Sequence, residues 1–147
     1  VTTVRIVDLQ TSWHRLALAR PWAADVTVVH VIGVRVTDSD GAVGTGVSWT
    51  PTIGPHAVRA LLDHDIRDFV LGGPTDPEVV WPRLWRRLHE AGSGGLTTIA
   101  MSGLDLALWD LQARRRGVGV VDLLGRRRES VEVYGSGVNL HYELADL

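Results

Sequence analysis

Apolar positions alternate with polar ones through the first third of the chain, then recur at three- and four-residue intervals. Val4, Ile6 and Asp8 begin a short strand. The run Val26 to Thr37 is a long one, rich in the β-branched residues that suit an extended backbone. Asp38-Ser39-Asp40-Gly41 is a turn cluster whose Asp40-Gly41 pair suits positions of positive φ, and the chain returns through Ala42 to Val47. The pattern predicts an antiparallel hairpin. Thr11 to Asp25, with His14, Arg15, Arg20, Pro21 and Trp22, reads as a long connection. Long ordered connections are often functional, although a solvated loop with Trp22 tucked into the core is the commoner outcome.

Helical spacing follows. Gly54-Pro55 opens a segment with Ala57, Val58, Leu61, Leu62, Ile66 and Phe69 on one side, and Leu71-Gly72-Gly73-Pro74 stops it. Asp76-Pro77-Glu78 is an N-cap with proline at the first helical position, followed by Val80, Leu84, Trp85 and Leu88. Pro82 requires this second helix to start late or bend. A third helix is predicted from near Thr98 to Gly117. Its apolar set, Ile99, Met101, Leu104, Leu106, Ala107, Leu108, Trp109 and Leu111, is too broad for one stripe, so burial on most sides is expected. Arg114, Arg115 and Arg116 close it where positive charge complements the helix dipole. Asp122 to Gly125 reads as a short helical turn, Val131 to Tyr134 alternates as a strand, and Tyr142 to Leu147 begins a helix.

Composition narrows the chemistry. A chain of 147 residues suits one domain or slightly more, and 45% hydrophobic with 22% charged residues argues for a packed core. A net charge of −2 gives no electrostatic reason to expect nucleic acid or an anionic membrane as partner. No apolar run approaches the ~20 residues that cross a bilayer, and no signal peptide is visible, so a soluble cytoplasmic protein is expected. Without cysteine there is no disulfide or thiolate chemistry. All 15 basic residues are arginine, which stays protonated, so this chain has no lysine to act as base or Schiff-base nucleophile.

The order of hairpin, three helices and new strand, with the run Ala100-Met101-Ser102-Gly103-Leu104-Asp105-Leu106-Ala107-Leu108-Trp109-Asp110-Leu111-Gln112-Ala113-Arg114, resembles a known family. It is similar to the mandelate racemase and muconate lactonizing branch of the enolase superfamily, whose signature carries Ala-x-Ser-Gly-Leu-Asp, Ala-Leu-x-Asp and Leu-Leu-Gly at this spacing. Arg20-Pro21 and Val133-Tyr134-Gly135-Ser136-Gly137 match more weakly. Gly119 departs where proline or a small residue is usual, and Val47 where many members carry glutamate. The resemblance implies an α+β fold: an enolase-like capping domain over residues 1–129, then the first strand and start of the first helix of a modified (β/α) barrel over 130–147.

It further implies proton abstraction next to a carboxylate, with a divalent metal, usually Mg2+, stabilising the enediolate in the complete enzyme. Acid-sugar dehydration is the first expectation, with racemisation or cycloisomerisation the alternative, and a non-catalytic capping fragment or scaffold the contrasting class. The family places base lysines and metal carboxylates on later barrel strands. Neither catalytic nor metal-binding residues are therefore expected in this chain, which alone should be inactive. Expected partners are the rest of the barrel, a small carboxylate or acid-sugar substrate and, in assembly, further copies of the protein.

Two capping loops close over the barrel mouth in such enzymes, matching Leu16 to Asp25 and Ser48 to Pro55 here. The candidates for substrate binding are Arg20, to hold a carboxylate, Trp22 and Trp49, to wall the pocket, and Thr50. Ser136 and Asn139, after the first barrel strand, complete the set. Asp105 and Asp110 are expected to be structural. No histidine pair has metal-ligand spacing: His56 and His64 are eight apart, and His30 and His89 stand alone. The run Arg126-Arg127-Arg128 reads as a solvated junction.

Overall fold

The long β-branched run becomes the middle strand of a three-stranded antiparallel sheet in a computed structural model that describes residues 3–23, 25–92, 94–135, 143 and 145. β2 (Val28–Asp38) pairs with β1 (Ile6–Ala17) on one side and β3 (Val43–Thr50) on the other. The β2–β3 turn forms where expected. Asp38 accepts hydrogen bonds from the amides of Asp40 and Ala42, both at 2.9 Å, and only Gly41 of the Asp40-Gly41 pair takes positive φ, at 83°.

β1 is the main departure from the sequence pattern. It runs to Ala17, so Thr11 to Ala17 belong to a strand and the connection shrinks to residues 18–27. Leu18 N–H donates to Thr27 O at 2.9 Å, and Trp22 N–H to Val26 O at 2.9 Å, tightening that connection. The polar composition of this stretch hid the strand, because most of its side chains face water. What orders it is β2, whose amides and carbonyls require a neighbour along their full length.

After β3 the chain enters α1 (Pro55–Leu61), passes through a π-helical turn (Leu62–Ile66) and ends in α2 (Arg67–Val70). α3 (Pro77–Leu88) starts at Pro77, not late, with Asp76 accepting from Glu78 N–H at 2.9 Å. Pro82 is tolerated because it lies on the exposed side of the helix, as does Glu78, whose carbonyl loses its helical donor there. α4 (Leu96–Arg116) begins two residues earlier than predicted and stops at Gly117, whose φ of 65° is the left-handed conformation that ends helices. α5 (Val120–Leu123) is the short turn expected after it.

The core lies between one face of the sheet and the helices. Leu9, Ile32, Val34 and Val36 meet Val58, Leu62 and Ile66, then Val80 and Leu84, with Met101, Leu104, Leu108 and Leu111 of α4 in the middle. Leu106 departs from the expected all-round burial and is half-exposed. α4 lies unusually close to β3. A Cβ at Gly44 would stand 2.1 Å from Ala107 O, one at Gly46 2.2 Å from Gly103 O, and one at Gly103 2.3 Å from Ser48 Oγ. The glycine of the signature therefore has a physical role: it lets the helix backbone rest on the strand backbone. Ser48 Oγ completes the seam by donating to Ile99 O at 2.6 Å.

Two carboxylates lock the sheet to the end of α4. Asp38, fully buried, is paired with Arg115, which also donates to Asp40 at 2.9 Å. These bonds to Asp40 and Asp38 raise the Arg115 pKa further. Asp110 accepts from Thr45 N–H at 2.8 Å, Thr45 Oγ1 at 3.0 Å and Arg114 Nε at 2.7 Å, so it satisfies a backbone donor on the edge of β3.

Candidate functional site

Cross-strand register decides which candidates meet. Val31 stands opposite His14 on β1 and Trp49 on β3, and Val29 opposite Leu16, so these residues share the face turned away from the helices. The 18–27 connection folds back over this face and lays Trp22 against Trp49, with ring centroids 5.6 Å apart at a 33° tilt. Leu18, Arg20, Trp22, Val29, Val31 and Trp49 line an open depression of about 390 Å³. Three of the predicted residues, Arg20, Trp22 and Trp49, are thus brought together. Both indoles remain half-exposed, so each offers a flat apolar surface at the rim.

Thr50 goes the other way. Side chains alternate along a strand, so the residue after Trp49 faces the helices, and Thr50 is only 1% exposed. Among the described residues its Oγ1 has no hydrogen-bond partner. Opposite Thr50 on β2 is His30, and opposite His30 on β1 is Arg15.

His30 is not isolated, as its place in the sequence suggested. Trp13 Nε1–H donates to His30 Nδ1 at 3.2 Å, and the two rings stack with centroids 5.7 Å apart. His56, at the start of α1, meets the same indole edge-on, with ring centroids 4.5 Å apart. Sequence reasoning missed this three-ring cluster because its members come from β1, β2 and α1. The signal that could have found it is register: counting outward from the hairpin turns puts Trp13, Ile32 and Ser48 in one row, with His30 and Thr50 in the next row on that face.

Two carboxylates along α4 are shifted by their surroundings. Burial pushes the Asp105 carboxyl above its usual range, and a hydrogen bond with Trp109 offsets this only in part. Burial also pushes Asp110 up, but the bonds from Arg114 and Thr45 outweigh it and hold that carboxyl below its usual range. Among the described residues no group of three or more histidines and carboxylates has the geometry to hold a metal ion. No described helix is long and apolar enough to cross a membrane.

Ser136 and Asn139 lie outside the described residues. The alternating stretch Val131 to Tyr134, expected as the first barrel strand, has no strand partner among the described residues, and Val133 and Tyr134 are 87% and 90% exposed. A strand needs a neighbour for its backbone groups, and among the described residues the sheet runs only from β1 through β2 to β3.

Comparison with known proteins gives concordant matches. Residues 1–125 match the family description "Mandelate racemase / muconate lactonizing enzyme, N-terminal domain". A 3,6-anhydro-alpha-L-galactonate cycloisomerase of Streptomyces coelicolor is 42% identical over 118 residues, which are 80% of this chain and 33% of that protein. A crystal structure of a racemase from Streptomyces coelicolor A3(2) with bound magnesium superposes with a TM-score of 0.90 at 36% identity, covering 96% of this chain and 41% of the other. An L-talarate dehydratase from Polaromonas sp. JS666, complexed with Mg and L-glucarate, gives a TM-score of 0.84 at 29% identity, covering 98% and 39%. The chain thus spans about a third of the length of the curated relatives it matches.

Proposed function

The chain belongs to the mandelate racemase/muconate lactonizing enzyme family, as its N-terminal domain, and from this we propose that it caps the barrel of an enzyme that removes the proton next to a carboxylate of an acid sugar. The observation that carries the reading is the match of residues 1–125 to that domain. Relatives that are acid-sugar dehydratases, including an L-talarate/galactarate dehydratase of Salmonella typhimurium, support dehydration as the reaction. Cycloisomerisation is the second reading, favoured by the 42% identity to the anhydrogalactonate cycloisomerase.

In this reading the chain's own residues bind and enclose. Arg20 holds a substrate carboxylate through charge-assisted hydrogen bonds. Trp22 and Trp49 wall the pocket and exclude water, which strengthens every charge interaction inside it. Thr50 acts from behind the wall by fixing the end of β3, and Ser136 and Asn139 line the barrel mouth. Residues 130–147 begin the barrel. The α-proton of a carboxylate is far too weakly acidic for an unaided base, so a divalent metal that neutralises the developing charge belongs to the complete enzyme. In this reading the metal's ligands and the base come from the rest of the barrel, as the family resemblance implies.

The test is an assay of the intact protein carrying this domain on acid sugars and their lactones in deuterated water. Loss of one water with one deuterium at the β-carbon, beside the α-carbon that has become a ketone, supports dehydration; the same uptake with unchanged composition, the leaving oxygen staying tethered, supports cycloisomerisation. No uptake from any acid sugar in the presence of magnesium sinks both readings and leaves a non-catalytic scaffold.

A further inference from the structure

We propose that His30 is a proton-driven positioning residue: uncharged, its Nδ1 accepts the indole N–H of Trp13; charged, its Nδ1–H turns to the hydroxyl of Thr50. The first state is the one observed, with Trp13 Nε1 3.2 Å from His30 Nδ1. An indole N–H donates only, so this bond exists only while Nδ1 carries no proton. Adding one sets two donors head to head. Thr50 supplies the second state, because it is the cross-strand partner of His30 on β3 and its Oγ1 is buried without a partner among the described residues. A hydroxyl accepts as readily as it donates, and directly opposed residues have Cβ atoms roughly 5 Å apart.

The charges around His30 favour separation of the rings once it is protonated. β1 contributes Arg15, its other cross-strand partner. α1 contributes His56, against Trp13, and Arg59, which donates to Thr11 Oγ1 at 3.3 Å and to Asp63 at 3.1 Å. The π-helical turn contributes Asp63, already bonded to Thr11 at 2.5 Å and to Arg59. β3 offers only the hydroxyls of Ser48 and Thr50 on this face, and the first two turns of α4, Leu96 to Gly103, carry no titratable group. A charged His30 thus joins Arg15 and Arg59 against a carboxylate, Asp63, that is engaged elsewhere. Stacking on Trp13 retains some cation–π attraction, but not the hydrogen bond.

The cluster touches both ends of residues 51–54. Thr50 is the last residue of β3, and His56 is the second residue of α1. A change of partner at His30 therefore re-sets the two anchors of that segment together. That the segment closes over a substrate rests on the function proposed above; the change of partner does not, and its test involves no turnover.

The experiment is NMR of the 147-residue chain between about pH 8 and about pH 5, the window in which histidine changes charge. The Trp13 indole N–H is assigned with W13F. It should move upfield and exchange faster in the same step as the His30 ring gains its proton, and the amides of 51–54 should shift with it. H30Q should abolish the step, and H56Q should leave it. T50V should keep the indole step but lose the response of 51–54, whereas T50S keeps both; amide dispersion at the upper pH checks that each variant is folded. An indole signal that stays put while His30 protonates, or a step that survives H30Q, overturns the proposal. A 51–54 response that persists in T50V removes Thr50 as the second partner and overturns it equally.

Discussion

Gly46 of β3 lies so close to Gly103 of α4 that a Cβ on the strand residue would stand 2.2 Å from the helix carbonyl and 2.6 Å from the amide nitrogen of Ala107. Both obstacles are backbone, so no side-chain rotation relieves the clash. G46A is therefore expected to force α4 off the sheet and destabilise the fold by about 3 kcal/mol, the upper end for overpacking. Gly41, which has positive φ but open space around it, serves as the control. G41A should cost only the backbone strain, roughly 1–2 kcal/mol. Urea denaturation of both variants decides the matter. A G46A chain as stable as G41A would mean that the helix–strand approach is softer than described.

Trp49 holds the 18–27 connection through Trp22. Both rings are half-exposed, so W49A should leave the unfolding midpoint nearly unmoved while freeing the connection. Hydrogen exchange at the Trp22 and Val26 amides, which close the connection, should accelerate by about fivefold, as loss of ~1 kcal/mol of local contact implies. Unchanged protection there would show that the backbone bonds alone hold the loop.

R20A and W22A extend the same reasoning to function. In the complete enzyme each should change the ranking of acid-sugar substrates while leaving the unfolding midpoint close to that of the parent. A preserved ranking would assign both residues to surface and packing.

Two carboxylates on α4 should respond to pH with opposite sign. The Asp110 carboxyl is held below its usual range in the folded chain, so its charge contributes stability above the unfolded-state pKa, and this contribution fades as pH falls through the folded value. D110N should cost about 1 kcal/mol at neutral pH, discounted for the exposed Arg114, and the difference should close in acid. Asp105 is pushed up by burial, so its ionised form opposes folding as pH rises past its ordinary value. D105N should therefore stabilise the chain at neutral pH and make no difference in strong acid. Denaturation across the acid range checks both slopes; slopes of the same sign would contradict the assigned environments.

Magnesium supplies a further check. Because the described residues offer no converging ligand set, millimolar magnesium should leave the unfolding midpoint of the 147-residue chain unmoved. Calorimetric titration that found a stoichiometric site would place metal ligands in this domain and not in the barrel.

The features legible in the sequence are those set by near neighbours. The Asp38-to-Gly41 turn, the Asp76-Pro77 helix start and the Gly117 helix stop each depend on a few adjacent residues, and each stands where the pattern predicts. The run around Gly103 and Asp105 identified the family for the same reason: its residues are contiguous on one helix. What tertiary structure decided is everything that depends on a distant partner. The length of β1 follows from β2 beside it, so a polar stretch became strand. Trp49 and Thr50, adjacent in sequence and proposed for one loop, point to opposite faces because the strand continues through them. His30 has no sequence neighbour to mark it, yet a hydrogen bond from β1 and a hydroxyl on β3 flank it in the sheet. Periodicity says only that a residue has a face. Which face, and opposite whom, is set by register, and register is a property of the paired strands rather than of either alone.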